Sequence, residues 1–423
     1  MLKKIMFLMT LSTLSVFART LTLDEAINLA LENGKEIKVA ERNLEIGKLD
    51  VRSAFKTAMP SVVYTGQYQV GEEIRDNLGK DRKGASKTGY TQSIGITQPI
   101  YQGGAVLSAL RGAKIFANND LLDFIETKSK NRLNVVELYS RVVQNLRNLD
   151  ALSLSKKQLD ATYEKQKAQL DMRIITKTDI LKTEFTLLEI ESQIVGTKNN
   201  IEIDLNDIKK KLNIPNSETL TLVPFSVPES LTSGIDFDRD LSTIKVESVQ
   251  ALRAKNNVEI ADVNKVIAKS AMLPTVNGFG KYGTFTEETN FSNTLNKGEW
   301  RAGVSVNWNV FQFGKDYDKY KASKIEVEKE EINRSISEDK IEISLTTAYL
   351  ELIRLEKVRD SKYKAMLAAE ENFKLDTERY NVGLISTVDY LLSETQMRDS
   401  IVSYNGILND YYVAFEKYRA LLV

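Results

Sequence analysis

Between Gly314 and Gly383 the chain runs 68 residues with neither glycine nor proline, and between Gly112 and Gly196 it runs 83. Both stretches are rich in Leu, Ile, Glu, Lys and Ala, residues that lose little on entering a helix. Around 68 residues at 1.5 Å rise would make a rod of ~100 Å, longer than any compact domain requires. Ile332, Ile336, Ile343 and Leu350 recur at +4, +7 and +7, a coiled-coil-like stripe. In a soluble helical bundle the same stripe would be core. The six prolines (Pro60, Pro99, Pro215, Pro224, Pro228 and Pro274) fall at punctuation points outside these stretches.

The chain repeats itself. At an offset of 210 residues, Gln102, Gly104, Tyr139, Asp179, Leu181 and Glu184 reappear as Gln312, Gly314, Tyr349, Asp389, Leu391 and Glu394. Upstream the offset is 214: Ala40, Asn43, Pro60, Gly66 and Tyr68 match Ala254, Asn257, Pro274, Gly280 and Tyr282. Two copies of one unit therefore make the chain. Each is expected to read helix, β-hairpin, long helix, turn, helix. The first copy spans 19–215, with its hairpin at 61–99 and its turn at 172–178. The second spans 237–423, with its hairpin at 275–311 and its turn at 381–387. The proline-rich stretch 216–236 links them.

The strands alternate. In 300–311, Trp300, Ala302, Val304, Val306, Trp308 and Val310 share one face, and Arg301, Gly303, Ser305, Asn307 and Asn309 the other. In 62–70, Val62, Tyr64, Tyr68 and Val70 oppose Val63, Thr65, Gln67 and Gln69. In 275–285, Phe279 and Phe285 fall on the wrong face. About ten residues, apolar on one side and small or polar on the other, fit an outer-membrane barrel strand; a soluble hairpin with one buried face fits as well. On the membrane reading, Tyr64, Tyr68, Trp300 and Trp308 face lipid, the tryptophans near the two interfaces where aromatics collect. Four strands cannot close a barrel, and open edges are not tolerated in lipid. Three chains would supply twelve strands.

Lys3 and Lys4, the apolar run Ile5–Phe17 and the small residues Val16 and Ala18 read as a secretory signal peptide covering 1–18. The chain has no Cys and no His, which removes thiol nucleophiles, disulfides, Cys or His zinc sites and Ser-His-Asp machinery. With 58 basic against 58 acidic side chains, no nucleic-acid footprint is indicated. No catalytic, cofactor or metal site is expected. Gly278-x-Gly280-x-x-Gly283 matches a dinucleotide pattern but lies within a strand with no helix after it. Gly79-x4-Gly84-Ala85-Ser86 lacks the lysine of a phosphate loop.

Several markers together resemble the TolC-like outer-membrane efflux proteins. They are Leu21-Thr22-Leu23-Asp24-Glu25-Ala26, Met59-Pro60 and Leu273-Pro274 before the hairpins, and Gln98-Pro99-Ile100-Tyr101-Gln102-Gly103-Gly104 with its echo at 308–314. Arg379-Tyr380-Asn381-Val382-Gly383-Leu384 leading to Asp389 completes the set. The resemblance implies a mostly α protomer with a β-barrel part: a trimeric α/β-barrel channel with two hairpins per chain in a twelve-stranded barrel on long coiled-coil helices. It implies an outer-membrane exit duct for efflux or type I secretion, with the helices in the periplasm. An inner-membrane pump or ABC transporter would energise it through a periplasmic adaptor protein. A structural or adhesive periplasmic coiled-coil protein is the alternative.

In the family, the turn carrying Val-Gly-Leu and the following Asp forms the periplasmic tip, which closes the channel and meets the adaptor. Tyr380, Val382, Gly383, Leu384 and Asp389 match it here. The first copy keeps Asp179 but has Met172-Arg173-Ile174 in place of Val-Gly-Leu. Some members add a basic residue two positions after the glycine and a second acid three after the Asp; here Ile385 and Leu392 stand there. A carboxylate on a first helical turn also caps the helix. Asp179 and Asp389 therefore admit two readings: a cap, or a ring of three charges at the entrance.

Overall fold

The computed structural model describes residues 19–70, 88–284 and 298–423. The signal-peptide segment 1–18, the loop with Gly79 and Gly84, and Phe285 lie outside the described residues. The chain is mostly helical. Its elements, in order, are β1 (Arg19–Leu21), α1 (Leu23–Asn33), α2 (Lys35–Lys56), β2 (Ser61–Val70), β3 (Thr88–Gln102), α3 (Ala105–Asp171), α4 (Lys177–Leu212) and β4 (Leu220–Leu222). There follow α5 (Phe237–Glu247), α6 (Val249–Ser270), β5 (Thr275–Gly283), β6 (Glu299–Asn307), α7 (Lys315–Asn381) and α8 (Thr387–Leu421).

The duplication is visible in the element lengths. α1 and α5 have 11 residues each, α2 and α6 have 22 each, and α3 and α7 have 67 each. α4 has 36 and α8 has 35. α7 fills the stretch between Gly314 and Gly383, whereas α3 begins before Gly112 and ends well short of Gly196. Among the described residues no helix is long and apolar enough to cross a membrane.

The chain divides into two compact units. One comprises 19–41, 124–249 and 340–423. Its largest core gathers Val135, Val136, Tyr139, Val142 and Val143 of α3, Ala26, Ile27 and Ala30 of α1, and Ile208 and Leu212 of α4. Over it lie β1 and β4, paired in parallel. Tyr139 pins both strands, its hydroxyl lying 2.9 Å from Leu21 O and 2.6 Å from Val223 O. Burial pushes that phenol up to about 12, so it stays neutral. Helix α1 starts with a reciprocal cap between Thr22 and Glu25.

The second unit comprises 42–123 and 250–339. Its strands form an antiparallel sheet in the order β2-β3-β5-β6. Val62 pairs with Ile96, Tyr64 with Ile94 and Tyr68 with Tyr90. Ile94 in turn pairs with Tyr282, and Tyr282 with Trp300. One face of the sheet is therefore apolar across all four strands. Gly278 and Gly280 lie in β5, where an added Cβ would come within 3.4 Å of Ile100 and 3.3 Å of Ile96. These glycines make room for cross-strand isoleucines, as their place in a strand suggested.

The expected strand over 300–311 is shorter. β6 stops at Asn307, where its partner β5 begins at Thr275. Trp308 is thus past the strand, its indole donating to Met272 O at 3.0 Å. The chain then turns through Phe313 (φ 49) and Gly314 (φ 83) into α7. The matching turn in the first copy uses Gly103 (φ 61) and Gly104 (φ 88).

Candidate functional site: two helix-end turns and one sheet

The helix-end turns are built alike. After α3, Arg173 takes the left-handed conformation at φ 59. Its N–H reaches Leu170 O at 2.9 Å, and Ile174 N–H reaches Gln169 O at 2.8 Å. After α7, Gly383 does the same at φ 79. Its N–H reaches Tyr380 O at 3.0 Å, and Leu384 N–H reaches Arg379 O at 2.8 Å. Both are Schellman closures of a helix C-terminus. The first copy adopts the turn although it lacks the glycine.

Each turn hands over to a reciprocal cap. Thr176 accepts from Asp179 N–H at 3.3 Å, and its own N–H and hydroxyl reach Asp179 Oδ2 at 3.1 and 2.6 Å. Ser386 accepts from Asp389 N–H at 3.2 Å, and its N–H and hydroxyl reach Asp389 Oδ2 at 3.3 and 2.7 Å. Both aspartates are therefore caps; Asp389 is exposed and Asp179 half-buried.

The apolar residues of the turns are uncovered. Val382 is 70% and Leu384 75% exposed, and Met172 and Ile174 are each 63% exposed. Tyr380 is half-buried. Gln166 of α3 donates to its hydroxyl at 2.7 Å, and Thr387 Oγ1 lies 3.4 Å from it. Its ring stacks on Tyr390 at 4.6 Å. Lys165 also donates to Asn381 Oδ1 at 2.9 Å. Tyr380 thus ties the end of α7 to α3 and to the start of α8.

Behind the turns, α3, α4, α7 and α8 share one core: Leu152 and Leu159, Leu187 and Ile190, Phe373, and Tyr390, Leu391 and Met397. Sequence reasoning missed a buried ion pair in this region. Glu394 is 0% and Arg398 3% exposed. Arg398 Nη1 donates to Glu394 Oε1 at 3.2 Å and Oε2 at 2.9 Å, and Ser155 of α3 donates to Oε1. Burial pushes the Glu394 carboxyl up to about 7, against the pull of Arg398. A signal existed: Glu394 and Arg398 stand four apart on the stripe that carries Tyr390, Met397 and Ile401.

The sheet leaves its apolar face open. Trp300 is 78%, Val62 66%, Val304 62% and Tyr64 61% exposed, and Tyr68 and Trp308 are exposed too. The opposite face carries Thr65, Gln67, Ser93, Thr97, Arg301 and Ser305, with Phe279 among them. Among the described residues β2 and β6 each have one unpaired edge.

Residues 26–213 match the family described as Outer membrane efflux protein. The match lies within the first copy of the repeat. The Campylobacter jejuni CmeC outer membrane channel superposes with a TM-score of 0.79 at 17% identity, covering 95% of this chain and 85% of that one. The outer membrane protein VceC of Vibrio cholerae gives 0.78 at 12% identity, over 94% and 95%. The open state of the Neisseria gonorrhoeae MtrE outer membrane channel gives 0.73 at 15%, over 95% and 88%. No curated protein matches the sequence. At these identities the likeness is one of fold.

Proposed function

We propose that this TolC-like chain is the outer-membrane exit duct of a tripartite efflux or type I secretion system. Three copies pool their sheets into one twelve-stranded barrel in the outer membrane, and the long helices stand in the periplasm. The duct is passive; an inner-membrane pump or ABC transporter drives export through a periplasmic adaptor. The observation that carries this reading is a four-stranded sheet with an exposed apolar face, whose outer strands each have one unpaired edge among the described residues. Lipid tolerates such strands only in a closed barrel. The helical stripe supports the same assembly: Ile332, Ile336, Ile343 and Leu350 are all exposed.

Tyr64, Tyr68 and Trp300 face lipid on this reading, and Trp308 sits just beyond the strand end. The turns at 172–176 and 382–386 form the periplasmic tip. Val382, Gly383 and Leu384 meet the adaptor, and Asp179 and Asp389 place carboxylates around the entrance while capping their helices. Tyr380 holds the tip by its bonds to Gln166 and Thr387.

The sheet assignment is testable by position. Val304→Arg puts a charge on the lipid face, at ~2–4 kcal/mol near the midplane. Ser305→Arg, on the opposite face, enters the lumen. Detergent-solubilised wild type and Ser305→Arg are expected at three times the mature chain mass, and Val304→Arg depleted of that species. Equal depletion in both variants would refute the face assignment, and a detergent-independent monomer would refute the barrel.

A further inference from the structure

Glu394 lies on α8, five residues past Asp389, with its carboxyl against α3. A carboxylate with no exposure loses its hydration, and one ion-pair partner does not always restore it. Both oxygens of the Glu394 carboxylate have donors, whereas Arg398 Nε has no hydrogen-bond partner among the described residues. Arg398 borders a groove of about 460 Å³ between α3, α7 and α8, and Gln158 Oε1, also without a partner, lines it. The other charges around the pair do not neutralise it. Asp399 on α8 and Glu189 on α4 both oppose ionisation of Glu394. Lys156 on α3 is engaged by Asp160 and by Glu191 of α4. On α7, Glu370, Lys374 and Glu378 line the groove at the Arg398 side.

We propose that Glu394 is a proton-binding site that couples the packing of α8 against α3 to pH, acidification favouring the packed arrangement. The direction follows from linkage. In the packed form the carboxyl titrates at about 7, against 4.5 as its ordinary value. When α8 lifts off α3, water reaches Glu394 and the ordinary value returns. Packing therefore takes up a proton, and local opening falls roughly tenfold from pH 8 to pH 6. The inference deepens the channel reading by giving the tip a regulator, and rests on that reading only for its effect on conduction.

Hydrogen exchange on the full chain in detergent, corrected for the intrinsic pH dependence, reads this directly. Segments 150–159 and 390–401 are expected to be about tenfold better protected at pH 6 than at pH 8. Glu394→Gln should abolish the difference, while Ser155→Ala, which keeps the carboxyl, should retain it. No pH response in these segments, or an unchanged response in Glu394→Gln, overturns the proposal. If Glu394→Gln does not assemble, wild type alone decides. A response confined to these segments supports the site; an equal one in the distant core around Ile208 and Leu220 overturns it. A chain that shows the response yet conducts nothing contradicts the duct and leaves the proton site standing.

Discussion

The two copies of the helix-end turn differ in how they reach one geometry. In the first, Arg173 sits at φ 59 where the second has Gly383 at φ 79. At the strand-to-helix turns the asymmetry reverses, with Gly103 at φ 61 matched by Phe313 at φ 49. The left-handed position is demanded by the turn, because the chain must reverse and the last carbonyls need donors. Glycine lowers its cost but does not create it. The helices that follow differ more. Glu184 and Leu188 of α4 are exposed, whereas Glu394 and Arg398, at the equivalent places of α8, are buried. One ancestral unit thus supplies an outward helix in one copy and, in the other, a helix with a buried ion pair.

The sharpest break is at the left-handed residue. An added Cβ at Gly383 meets nothing within 4 Å, so a substitution there reads backbone strain alone. Gly383→Val is expected to cost ~1–2 kcal/mol, and Arg173→Gly to be neutral or stabilising. Thermal unfolding of each variant checks this; a loss in Arg173→Gly would mean that its side chain, not the turn, holds the first tip.

The caps should behave alike. Ser386→Ala and Thr176→Ala are each expected to cost ~1 kcal/mol, because both hydroxyls make the same two bonds. Unequal losses would show that one cap carries more than its helix.

The smallest effect concerns Tyr380, whose counterpart in the first copy is Leu170. Tyr380→Phe keeps the ring on Tyr390 and removes the bonds to Gln166 and Thr387, at ~0.5–1.5 kcal/mol. Conductance is expected to rise, since these bonds bind α7 to α3 and α8 at the tip. Unaltered conductance with lower thermal stability would make the tyrosine a brace and not a latch.

Much of this was legible in the sequence. The stretch between Gly314 and Gly383 foretold the 67-residue α7, whereas that between Gly112 and Gly196 runs past the end of α3 into α4; the offset of 210 paired Asp179 with Asp389. The strand faces followed from alternation, except near Trp308. There alternation continues to Val310, but the partner strand starts only at Thr275, so pairing ends at Asn307. Side-chain periodicity does not report where the neighbouring strand begins. The aspartates' two readings also could not be separated by spacing, because a cap and a tip charge occupy the same helical position. Burial of Glu394 was hidden for a different reason: its repeat mate Glu184 is solvated, and identity at the offset says nothing about which neighbours cover a helix.

The central claim is that three copies form one passive duct with carboxylates at its entrance. Single-channel conductance of the purified trimer in a planar bilayer tests it most directly. Stepwise, cation-preferring currents are expected, blocked by multivalent cations from the periplasmic side, with preference and block weakened in Asp389→Asn. Protein of trimer mass that inserts yet passes no current above bare lipid would contradict the account.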